Sequence, residues 1–168
     1  MSPGPSGGGV EVDRTRLAAF AELLATLAVA AWVGGTFALG AFTARIVFRD
    51  LPRGLAAPTM STIFRSFDGV VVVCVVLVAL ATGVRLVAVG VRNRADRIAL
   101  VAGTALSVLG LLDIGYVHPA IERMFLEGRT LEPAFAALHK LSSRSATLES
   151  ICAILLIGAF TFARRPKP

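Results

Sequence analysis

The sequence predicts an all-α integral membrane protein, a bundle of four transmembrane helices. Three observations point to it. Hydrophobic residues make up 55% of the 168 positions and charged residues only 17%, against about 25% charged in soluble domains. Mean hydropathy is +0.75. The charges also cluster between four apolar stretches and leave those stretches nearly bare, as crossing a hydrocarbon layer requires.

The chain opens on "MSPGPSGGGVE", too poor in apolar residues to order itself. It lacks the basic start of a secretory signal. A flexible tail over 1–12 is expected, followed by one domain over 13–165. The four spans fall at about 17–44, 67–91, 97–117 and 142–163. With a rise of ~1.5 Å per residue, each can cover a core ~30 Å thick. The run "VVVVCVVLVAL" in the second span has strand-forming composition. In lipid only a helix satisfies its own backbone without closing a barrel, so this span too is expected to be helical.

Spans one and two are joined by "RIVFRDLPRGLAAPTMSTIFRS", with Pro52 and Pro58 as breakers. Spans three and four are joined by "HPAIERMFLEGRTLEPAFAALHK". Both read as amphipathic helix extensions on one membrane face. By contrast "RNRAD", 92–96, is a tight turn on the opposite face, with His118-Pro119 expected where span three leaves the lipid. Arg14, Arg16, Arg92, Arg94, Arg97, Arg164, Arg165 and Lys167 gather on the face holding both termini. Basic residues favour the cytoplasm, which gives an N-in, C-in orientation. A faint repeat at an offset of 75 residues aligns Gly35 with Gly110, Gly40 with Gly115 and Gly83 with Gly158. Two similarly oriented hairpins would produce it.

Several function classes are set aside. The net charge of +6 comes without the basic stripe and interleaved aromatics of a nucleic-acid surface, so no nucleic-acid partner is expected. There is no phosphate-binding loop, HExxH or nucleophile–base motif, so neither an enzyme nor a cofactor is expected. Cys74 and Cys152 lie inside apolar stretches, where thiols act as small hydrophobes. The weak metal candidates are His118 and His139 flanking one connection, and Cys74 with Cys152 as soft ligands near Met60 and Met124.

Helices in lipid meet where their residues are small. Such stripes run through Ala30, Gly34, Gly35, Ala38 and Ala41 in span one, and from Asp68 through Val72, Val76, Ala79 and Gly83 in span two. In span three Gly103, Ser107 and Gly110 lead to Asp113, and in span four His139, Ser142 and Ala146 lead to Glu149 and Ala153. All four turn polar toward the face of the long connections. The predicted polar mouth comprises Arg45, Arg65, Asp68, Asp113, His118, His139, Arg144 and Glu149. Asp113 and Glu149 lie deepest, and an acid in lipid needs a partner; Arg45, Arg65 or Arg144 is expected to supply it. The ring reads either as a structural network of salt bridges or as a cation or proton site. On the opposite face Glu22 with Arg85 reads as a structural pair.

"AWVGGTFALGAFTARIVFRDLP", "YVHPAIERM" and "FAALHKLSSRSATLES" resemble the bacterial membrane domain-of-unknown-function family 4149, related to eukaryotic transmembrane protein 205. The resemblance runs over about 20–163, with Trp32, Gly34, Gly35, Pro119, His139 and Ser142 matching its pattern. Arg45 departs from it, because members often carry Pro near that position. The resemblance implies a four-helix protein of undefined activity in the bacterial inner membrane. Its eukaryotic relative is associated with resistance to platinum drugs, and copper-resistance membrane proteins are a more distant comparison.

Two functions therefore stand open. One is the handling or export of a metal cation or drug-like solute through the polar mouth, by a homo-oligomer. The other is a non-catalytic accessory or scaffold role, packing against other membrane proteins. The lipid bilayer is the partner common to both.

Overall fold

The computed structural model describes residues 8–163, and every element among them is helical. The order is α1 (Gly8–Ala38), a π turn (Leu39–Thr43), α2 (Ala44–Asp50), α3 (Arg53–Ala88), α4 (Arg94–Leu112), a second π turn (Asp113–Val117), α5 (His118–Leu126) and α6 (Pro133–Ala163). Each π turn passes directly into the next α-helix, so the chain forms four long rods. All four are long and apolar enough to cross a membrane. The protein is a four-helix integral membrane bundle.

The rods are longer than the apolar stretches alone. α6 has 31 residues, about 45 Å of helix, so the connections expected beyond the lipid continue the spanning helices. α1 already begins at Gly8. Residues 1–7 of the expected flexible tail lie outside the described residues.

One proline acts differently from expectation. Pro58 lies inside α3 and does not break it. Placed near the helix start, it forfeits one backbone bond while the following turns continue. At His118-Pro119 the rod continues as the expected helix extension. The π turn before it bonds the His118 N–H to Asp113 O, and this wider turn relieves the clash a proline ring makes with the carbonyl four residues back. Pro52 does act as a breaker, standing as the N-cap of α3.

The tight turn has clear local causes. After α3, Gly90 at φ 72° donates to Arg85 O and Leu86 O, the left-handed helix stop that favours glycine. Asn93 then caps α4: its side chain accepts from Asp96 N at 2.9 Å, and the Asp96 carboxylate accepts from Asn93 N at 3.0 Å. This reciprocal box satisfies amide groups the helix cannot. In the connection after α5, Arg129 donates to Glu127 and Glu132. Its guanidinium holds the Glu132 carboxyl below the ordinary range.

The rods pair as two hairpins, α1 with α3 and α4 with α6, docked through α3 against α4. The core contains Ala21, Ala25, Ala28, Val29 and Trp32 of α1, and Val71, Cys74, Val75 and Val78 of α3. Ala99, Ala102 and Leu106 of α4 meet Leu156 and Phe160 of α6. Two of the predicted stripes are corrected here. Ala30, Gly34 and Ala38 are exposed, as are Val72, Val76, Ala79 and Gly83. The true faces start one to two residues away, a rotation of about 100° per residue.

The stripe of α4 faces inward, whereas that of α6 does so fully only in its inner half, His139 being exposed and Ser142 and Ala146 half-buried. Gly103, Ser107, Gly110 and Asp113 are buried, as are Glu149 and Ala153. A Cβ at Gly110 would overlap the Trp32 indole and Val75, and one at Gly103 would overlap Thr82. Gly35 sits against the Phe67 ring. These glycines set how closely the rods approach.

Candidate functional site

The two ends of the bundle are built differently. At the end of the termini and the 92–96 turn, Arg85 reaches across three rods to form ion pairs with Glu22 and Asp96. The Phe160 ring of the fourth lies 5.5 Å from its guanidinium carbon. All three charged residues are buried. Asp96 thus serves both as a helix-capping acid and as an interhelical acceptor. The expected Glu22–Arg85 pair is present, but Asp96, hidden in a turn motif, went unrecognised in the sequence.

The opposite end opens into a cavity of about 320 Å³. Trp32, Phe64, Phe67, Val71 and Ile114 form its apolar walls. Asp68, His118, His139, Ser142 and Ser143 bring polar groups to it, and Asp113 and Glu149 lie on its lining. Five of the eight predicted mouth residues therefore converge: Asp68, Asp113, His118, His139 and Glu149.

The three arginines do not join them. Arg45 and Arg144 are exposed, and Arg65 pairs with Glu122 outside the cavity. None neutralises the deep acids. Asp113 instead lies on the cavity lining with Glu149. Arginine side chains long enough to reach the interface are better solvated there than beside a buried acid.

The acids are well shielded, Asp113 at 6% and Glu149 at 5% exposure. Among the described residues Glu149 Oε1 has no hydrogen-bond partner. Such an atom is costly to bury and marks a place where a ligand, water or ion completes the bonding. Nearer the mouth, His118 Nδ1 lies 2.9 Å from Asp68 Oδ1, tying α5 to α3. His139 stands edge-on to Phe135, with ring centroids 4.6 Å apart.

Both π turns border this end. The first contains Gly40 and the second Asp113 and Ile114, all of which line the cavity. A π turn carries one residue more than the α-helix around it and recurs at functional sites. Without the second, Asp113 and His118 would not both face inward. The turns also fall at matching places in the 75-residue repeat, on Gly40 and Gly115.

Among the described residues no group of three His, Cys, Asp or Glu side chains converges to hold a metal ion. Cys74 belongs to the apolar core and Cys152 packs at its margin, so the sulfur pair does not join His118 and His139 at the cavity.

The model of a domain of unknown function, DUF4149, matches residues 27–130. The chain belongs to this family. That stretch contains Trp32, Asp68, Asp113 and His118, and with them both π turns and the cavity wall formed by the first three rods. DUF4149 defines no activity, so chemistry must be argued from the site. No curated protein and no solved structure matches the chain.

Proposed function

We propose that the protein binds a lipophilic organic cation in this cavity and carries it across the membrane without covalent chemistry. One observation carries the reading: an aromatic-walled cavity whose lining includes two shielded acids, one with an unpaired oxygen. Aromatic faces attract cations through their quadrupole, apolar walls remove the rest of the solute from water, and the acids supply the opposite charge. The volume lies at the small end of the range for organic ligands. A metal ion would need several hard or soft donors at close range, and the acids and imidazoles here are not grouped that way.

The Arg85 clasp and the apolar core occupy the far end of the bundle. Passage therefore requires the hairpins to shift against each other, closing the mouth as the clasp opens. The orientation taken with this reading is N-in and C-in, in a bacterial inner membrane, which sets the cavity to the outside. The relation to eukaryotic transmembrane protein 205 and to drug resistance fits the same reading. An accessory-subunit role gains no comparable support, because exposed apolar side chains occur on all four rods, as contact with lipid requires.

Proteoliposomes preloaded with radiolabelled methylphenylpyridinium, a flat aromatic cation, test the proposal. Wild-type protein should release the label at least about tenfold faster than Glu149→Gln or Asp113→Asn protein reconstituted at equal density. Equal rates for wild type and both variants would overturn it.

A further inference from the structure

Asp113 and Glu149 come from the two rods of one hairpin, and both buried acids line the same cavity. Two acids buried at one site do not both ionise readily, so the pair keeps a proton between them. Among the described residues, no donor reaches Oε1 of Glu149, which is also shielded from solvent. The cavity is thus bordered by a buried acid with an acceptor that the fold has left unused.

The groups around the pair form a short polar sequence toward the mouth. His118 from α5 lines the same cavity as both acids. It holds Asp68 of α3 on its Nδ1. His139 of α6 borders the same cavity. Ser145, also buried, stands four residues before Glu149 on α6, and Cys152 three residues after it. From the first rod Trp32, Thr36 and Gly40 line the cavity, so among its described residues this rod brings no titratable group there. Among the described residues no lysine or arginine lines the cavity with the pair; its charge is balanced by a proton or by whatever occupies the cavity.

We infer that the Asp113–Glu149 carboxyl pair exchanges one proton for one organic cation, so that the two compete for the same site. The inference rests on the proposed binding function. In the exchange the O–H bond of the shared proton breaks and the proton leaves through the mouth past His118 and Asp68. The pair is then left with one more negative charge, which the incoming cation balances. Site and ligand together keep the same net charge in both states, which is what a buried site in lipid favours. A cation-loaded and a proton-loaded bundle are then equally able to cross between outward and inward forms.

The test counts protons. Wild-type protein in nanodiscs, in weakly buffered solution at pH 7 with an indicator dye, is titrated with methylphenylpyridinium while bound cation is measured by equilibrium dialysis. About one proton should appear per cation bound, and the apparent affinity should fall up to about tenfold for each unit the pH is lowered. Glu149→Gln protein, checked for folding by its helical circular dichroism, should bind at least about tenfold more weakly and release no proton. Saturable binding by the wild type with no proton released, at an affinity independent of pH, would overturn the exchange and leave the binding function standing. Absence of binding by the wild type would overturn both.

Discussion

Single residues decide how the rods approach. Gly110 and Gly34 are both glycines in an apolar span, and the sequence assigned both to packing faces. Gly110 lies under the Trp32 indole, whereas a Cβ at Gly34 meets nothing within 4 Å. Gly110→Leu should therefore destabilise the bundle by about 1–3 kcal/mol, and Gly34→Ala should change stability by less than about 0.5 kcal/mol. Thermal unfolding of both variants in one detergent checks the pair; equal losses would place Gly34 in contact after all. The difference was not legible because helices of alanine and valine are apolar all round, and only the neighbour shows which side is inward. The polar residues were more legible. Asp113, Glu149, Asp68, His118 and His139 stand out in apolar surroundings, and each does border the cavity. Their partners did not stand out. A long arginine side chain can reach in many directions, and the sequence could not show that Arg65 turns outward to Glu122.

At the scale of the element, the two π turns do what no sequence motif announced. Four long apolar rods were legible from hydropathy, though their ends were not, because the interfacial connections are themselves helical. The turn at Asp113–Val117 resets the angular position of everything after it. Deleting Gly115 should convert the turn to plain α-helix and rotate α5 by about 100°, swinging His118 away from Asp68. The measurement is a short thiol–thiol crosslink between cysteines placed at Asp68 and His118, with Cys74 and Cys152 replaced by alanine. Crosslinking should be efficient in the full-length chain and drop at least about fivefold in the deletion, while helical content stays within about a tenth. Undiminished crosslinking would mean that the turn does not set the position of His118. The faint glycine repeat gains meaning from the same feature: Gly40 and Gly115 are the places where the two half-bundles carry their extra residue.

The whole molecule is a pair of hairpins, clasped by buried charge at one end and parted by a cavity at the other. Removing one member of a buried ion pair commonly costs about 3–5 kcal/mol, so the Arg85 clasp is a strong closure, and the open end is where the fold gives up packing. The central claim is that this opening admits water and a cation to the level of the acids, while the outer faces of the same helices see lipid. Ala146 borders the cavity, and Leu148, nearly level with it on α6, is exposed on the outside. The decisive measurement is labelling by a membrane-impermeant maleimide in nanodiscs. Single cysteines are placed at either position in a chain whose native cysteines are replaced by alanine. Ala146→Cys should label quickly and be protected by saturating methylphenylpyridinium, and Leu148→Cys should label at least about tenfold more slowly, with no effect of the cation. If Leu148→Cys reacts as fast as Ala146→Cys, or the cation protects neither, the cavity is not the aqueous binding site described above.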